Sequence, residues 1–197
     1  GITFTLLDDS REVLGAALKY LGYSLNTVDE SEIEEATQLL KETQDAIVAY
    51  DSDQFEDLII SGEINAAHGW SGDFFALFYE LEDQYEDVYS SFVYLIPEEG
   101  GVRWTDAMVI PSGSSSICTA HTFMNFMMDA EVAAQNAEWN AYATANSAAK
   151  EFIDEEMLAD ESIYPSDEVV ANLEFIEDLG EVNEIYENKF FEAKSSN

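Results

Sequence analysis

The chain is predicted to be an α/β protein whose mixed, largely parallel sheet is flanked by helices. Two observations carry that prediction. The order strand, turn, helix recurs: residues 2–7, 46–50 and 64–70 are short apolar runs, and each is followed by a turn and a helical pattern. The first run, Ile2-Thr3-Phe4-Thr5-Leu6-Leu7, is apolar and β-branched, as a buried strand should be. Apolar residues make up 47% of the 197, enough for a sizeable core, so a wholly disordered acidic chain is excluded.

Charge is the outlying feature. Seven Lys and Arg against 42 Asp and Glu give a formal net charge of −35, so the acids must coat a folded surface. Such a coat repels nucleic acid and anionic membranes and draws cations. Scarce lysine with abundant acid also suits a protein working in high salt, where self-repulsion is screened. The lone Cys118 excludes an internal disulfide. His68 and His121 lie far apart without a neighbouring Cys or His, so no metal site is expected. No run approaches the length of a membrane span, direct membrane insertion is not expected, and no signal peptide opens the sequence. No Ser-His-Asp, Cys-His or phosphate-loop signature occurs, so neither catalytic residues nor cofactors are expected.

Taken in order, residues 8–21 should form a helix with Val13, Leu14, Ala17, Leu18 and Leu21 inward, ended by Gly22. Asp9 followed by Glu12 matches a capping box. The same spacing also places two carboxylates on one edge of the first turn, ready for an ammonium group, and both readings stand. Residues 31–43 read as a second amphipathic helix, 46–50 as a strand, 53–60 as a short helix, and 64–70 as a small-residue strand ending in Trp70. In open sheets of this type ligands lie beyond the carboxyl ends of strands, where Trp70 and the Asp9–Glu12 turn both fall. Trp70 fits a core position as well as a partly exposed one.

A helix through residues 74–81 is followed by a polar, irregular stretch at 84–89 and a strand at 91–96. Gly100-Gly101 then leads into an extended run that Pro111 ends. Period-2 alternation puts Val102, Trp104 and Asp106 on one face. A Trp beside an Asp suits an organic cation, through the ring face and a charge-assisted hydrogen bond; an edge strand with a packed Trp and a solvated Asp is the plainer alternative. Helices are expected at 121–128, 130–139, 147–153, 167–173 and 181–193, with a loop at 140–146.

Those residues also carry a family resemblance. Gly100-Gly101-x-x-Trp104-x-Asp106-x-x-x-Ile110-Pro111 resembles a segment of the substrate-binding proteins of spermidine/putrescine ABC transporters, and the similarity runs along essentially the whole chain. The resemblance implies the C-terminal portion of a type II periplasmic binding fold. Residues 1–105 with 151–197 would form the C-terminal lobe, and 106–150 would belong to the other lobe, whose main part is absent. It further implies capture of a polyamine in an inter-lobe cleft and delivery to membrane permease subunits, outside the cytoplasm. Ligand-binding positions carried over are Asp9, Glu12, Trp70, Trp104, Asp106 and Tyr142. The chain departs from the family at Ala141, where relatives have Gly, at Ala145, a common Pro, and at Ile176, often Gln. Other readings remain in view: a binding protein for another small solute, an acidic halophilic enzyme, and a divalent-cation-binding or surface interaction protein, for which no loop pattern such as an EF-hand is present.

Overall fold

Every strand pairing in the structure, a computed structural model that describes residues 1–81 and 88–196, is parallel. The chain divides into two compact units. The first comprises Gly1–Trp70, Leu95–Trp104 and Asp167–Asn197, and the second Ser71–Tyr94 and Thr105–Ser166. The expected lobes, 1–105 with 151–197 against 106–150, concern membership of a larger fold.

In the first unit β1 (Phe4–Leu6) lies between β2 (Ile47–Tyr50) and β3 (Ala66–Ala67). Parallel neighbours require crossovers, and the chain supplies helices for them: α1 (Ser10–Tyr20) and α2 (Glu30–Thr43) between β1 and β2, and α3 (Phe55–Ile60) between β2 and β3. Asp9 starts α1, and Gly22, at φ 83°, leaves it through a left-handed turn closed by the Tyr23 N–H donating to the Leu18 carbonyl at 2.9 Å. The core joins Leu7, Val13, Leu14 and Leu18 to Ile33, Ala36 and Leu40 of α2 and to Tyr186 and Phe190 of the last helix, α10 (Val182–Lys194). Each fully buried leucine stabilises by about 1.5–3 kcal/mol relative to exposure. Tyr186 is fully buried, and its hydroxyl donates to the Thr27 carbonyl at 2.9 Å.

A second, two-stranded sheet pairs β4 (Gly101–Arg103) with β5 (Leu173–Phe175). Gly100, at φ 98°, precedes it, and a Cβ there would lie 2.2 Å from the Asn172 carbonyl oxygen, so only glycine lets the two strands meet. This corrects the expected strand through Pro111: regular pairing stops at Arg103, and Trp104 and Asp106 lie in irregular chain, so a shared strand face no longer relates them. Helix α9 (Asp167–Ala171) is correspondingly shorter than expected, because Leu173–Phe175 finds its strand partner in Gly101–Arg103.

The second unit contains helices and no strand among its described residues. Helix α4 (Ser71–Leu81) buries Phe74, Phe75, Leu77, Phe78 and Leu81. The stretch expected as a strand at 91–96 instead begins in the last residue of a helical turn, α5 (Val88–Ser91), and continues as irregular chain. Its aromatic residues found α4: ring centroids of Phe75 and Tyr94 are 5.3 Å apart, and those of Phe78 and Phe92 6.3 Å. Residues 84–87 of the expected irregular stretch lie outside the described residues. Helices α6 (Ile117–Met127) and α7 (Ala130–Asn140), a 3₁₀ turn (Ser147–Glu151) and α8 (Glu155–Ala159) complete the unit. Ala133, Ala134 and Ala137 of α7 pack on Ala149 and Ile153.

Candidate ligand-binding site

In the first unit the capping reading of Asp9 is realised: its Oδ1 accepts from the backbone N–H of Arg11 at 2.8 Å and of Glu12 at 2.9 Å. That leaves the exposed carboxylate at the carboxyl end of β1, beside Glu12 on the first turn. Glu12 is partly buried, and its carboxyl is pushed up to about 7, chiefly by burial and then by the Asp9 charge; a hydrogen bond from the Trp70 indole pulls the other way. His68, two residues before Trp70, is pushed down to about 4 by burial, against the pull of Asp9, and its Nδ1 is buried without a hydrogen-bond partner. Asp9, Glu12, His68 and Trp70 are thus one grouping. Trp70 is partly buried against the core, and Trp104, 41% exposed, follows β4.

The second unit holds another grouping. Tyr142, in the loop after α7, has its phenol pushed up to about 12 by burial first and then by the Asp73 charge, with smaller contributions from Asp106 and Tyr94 against a backbone hydrogen bond from Gly72. Burial also raises Asp73, which stands in the first turn of α4. The loop turns at Ala141, φ 55°, the left-handed position where relatives were expected to have glycine. Of the six expected site residues, the structure therefore brings Asp9, Glu12 and Trp70 together, and separately Asp106 and Tyr142. Sequence reasoning missed His68, Asp73 and Tyr94. The readable signal for Asp73 was an acid three residues past Trp70 at a helix start; nothing local marked the other two.

The chain's own cations are occupied elsewhere. Arg11 donates to Asn26 and Asn183 at 2.8 and 2.7 Å and stacks over Tyr186. Lys19 pairs with Glu174, Lys41 with Glu192, Lys189 with Glu34, and Lys194 with Asp8. Arg103 covers Phe175, and Lys150 stands 5.0 Å from the Tyr164 ring. Among the described residues no group of three or more His, Cys, Asp or Glu side chains is placed to hold a metal ion, and no helix is long and apolar enough to cross a membrane. The arrangement suits a cationic ligand: carboxylates without a protein counter-cation, next to aromatic faces.

Residues 3–165 match the model of a family described as bacterial extracellular solute-binding protein. The chain belongs to that family. Within it, the chain is 34% identical over 190 residues to the spermidine/putrescine-binding periplasmic protein of Escherichia coli, a match covering 96% of this chain and 52% of that protein. It is 33% identical over 177 residues to the putrescine/cadaverine-binding protein of Pseudomonas aeruginosa, covering 89% of this chain and 49% of the other. Among solved structures, a putative spermidine/putrescine ABC transporter protein from Listeria monocytogenes superposes with a TM-score of 0.85 at 34% identity, covering 99% of this chain and 58% of that one. The corresponding substrate-binding protein of Streptococcus pneumoniae gives 0.83 at 33% identity, covering 98% and 58%. The chain spans about half the length of the curated relatives it matches. The α/β periplasmic binding fold expected from the sequence is the fold of these neighbours. The family is one of solute-binding proteins, and the enzyme alternative falls with it.

Proposed function

We propose that this chain is the C-terminal portion of an extracytoplasmic binding protein that captures a polyamine of the spermidine or putrescine kind and delivers it to the membrane subunits of an ABC transporter. The observation that carries the reading is the grouping of carboxylates with aromatics in each unit, with no salt bridge to Asp9, Glu12, Asp73 or Asp106 among the described residues. In the first unit Asp9 and Glu12 would take an ammonium group while Trp70 and Trp104 cover methylene groups and cation faces. In the second, Asp106 and Tyr142 do the same, and Asp73 joins them. Relatives whose names specify spermidine, putrescine or cadaverine support the ligand class. On this reading residues 1–105 with 151–197 belong to one lobe and 106–150 to the other, completed by chain outside the sequence described.

Calorimetric titration with putrescine, spermidine, neutral amino acids and Ca²⁺ tests the proposal in the full-length protein at one high salt concentration. Asp106→Ala should cost about 2–5 kcal/mol of polyamine binding, because an ammonium group loses its partner. Glu35→Ala, on the exposed side of α2, should leave binding unchanged. Equal loss in both variants, or none in either, would show that the acids act only as a charged coat.

A further inference from the structure

We infer that capture at the Asp9–Glu12 pair is an exchange of cations: the empty pair holds a proton on Glu12, and an arriving ammonium group displaces it. The inference rests on the polyamine reading and concerns how that same site is regulated.

Two carboxyl groups one helical turn apart, one of them partly buried, repel each other unless a positive charge stands between them. The side chains available here supply none. Arg11, on the same helix, is turned toward Asn26, Asn183 and the Tyr186 ring. From α10, Lys194 faces Asp8 rather than Glu12. From α2, Lys41 is held by Glu192, and Glu35 accepts from the Tyr23 hydroxyl. From β4, Arg103 lies over Phe175. What reaches Glu12 is Asp9 on its own element and the Trp70 indole from the segment after β3. His68, which faces Asp9 from that segment, is held neutral by burial down to about pH 4 and so brings no charge near neutrality. The remaining counter-cation is a proton, and burial first, then the Asp9 charge, raises the Glu12 carboxyl to about 7, so that it can hold one near neutrality. When an ammonium group binds, the O–H bond of the Glu12 acid breaks, the proton leaves to solvent, and the carboxylate pairs with the N–H donors.

The balance is simple. At a pH equal to the midpoint, about half a proton leaves per ligand bound, and between about pH 8 and pH 6 the dissociation constant rises about tenfold as the ionised fraction falls. The ligand's own ammonium groups stay charged across this range.

The test is calorimetry of the full-length protein with putrescine and with spermidine at pH 6, 7 and 8, each in phosphate and in Tris, whose ionisation enthalpies differ. Carbon-detected NMR of the Glu12 carboxyl in the ligand-free protein accompanies it. The expected results are a titration midpoint near 7, a binding heat at pH 7 that differs between buffers by about half the difference in ionisation enthalpy, and an affinity that climbs with pH. Glu12→Gln should bind more weakly but with no pH slope and no proton release; His68→Gln should keep the release. A Glu12 midpoint near 4.5 overturns the inference even if no ligand binds. Tight binding with equal heats in both buffers and equal affinity at pH 6 and 8 overturns it while leaving the polyamine reading intact. Absence of binding by either ligand at every pH overturns the polyamine reading itself.

Discussion

Gly72 and Tyr142, seventy residues apart, are packed so closely that a Cβ on Gly72 would lie 2.1 Å from the ring carbon Cε2 of Tyr142. The tyrosine ring occupies the space that a side chain on Gly72, in the first turn of α4, would fill, and a backbone hydrogen bond from Gly72 reaches its phenol.

Gly72→Ala is therefore expected to break the usual rule that alanine improves on glycine in a helix by roughly 1 kcal/mol. Moving the Tyr142 ring aside should instead cost about 1–3 kcal/mol, as overpacking does. Thermal melts of Gly72→Ala against the exposed control Ala76→Gly check this, and polyamine affinity should fall in the first variant alone. An unchanged melting temperature for Gly72→Ala would show that the ring has room to yield.

Glu12 should destabilise the ligand-free fold as pH rises. Its carboxyl is raised from the ordinary 4.5 to about 7 in the folded protein, so between those values the folded form binds more protons than the unfolded chain. Stability from this group is complete below about 4.5 and is lost as pH climbs through about 7. Glu12→Gln should accordingly melt at the wild-type temperature near pH 4.5 and above it at pH 8. Denaturation of both proteins across that range, compared at each pH, measures the difference.

Arg11 ties three separate parts of the first unit together. Its guanidinium donates to the Glu177 carbonyl at 2.9 Å, to Asn183 and Asn26, and lies 4.6 Å from the Tyr186 ring centroid. Arg11→Met should lower stability by about 2–4 kcal/mol, since several half-buried acceptors lose their donor together. Arg11→Lys should recover little, because a point charge cannot replace a planar fork on a ring face. Urea unfolding of the two variants distinguishes a shared network from simple charge.

The net charge of −35 predicts a melting temperature that climbs with KCl into the molar range, as screening relieves repulsion among surface acids. A flat or falling melting temperature over that range would set aside adaptation to high salt.

The apolar side of α6 is open: Phe123 and Phe126 are 55% and 57% exposed, and the helix buries no residue. Phe123→Ala and Phe126→Ala in this chain alone should change stability by less than about 1 kcal/mol, far below the 3–5 typical of a core phenylalanine. In the full-length protein the same substitutions should cost several times more, if residues 106–150 pack on the other lobe as proposed. Paired melts of the two lengths decide it.

The amino-acid sequence determined the elements whose logic is local. A capping Asp9, the period of Val13, Leu14, Ala17 and Leu18, and the stop at Gly22 are enough for α1; a helix after each early strand is enough for parallel pairing of β1, β2 and β3. It also carried Asp9 and Glu12 as neighbours, because three residues of helix bring two side chains to one edge. Tertiary structure alone decided what depends on distant chain. Leu173–Phe175 became a strand only because Gly101–Arg103 was there to pair with it, and residues 92–94 took irregular backbone in place of the expected strand, with Phe92 and Tyr94 packed on α4. The chemistry of the site is of the same kind. Glu12 and His68 owe their displaced titration to burial that the fold creates around them, and the dielectric at a side chain is a property of everything packed near it, not of its own place in the sequence.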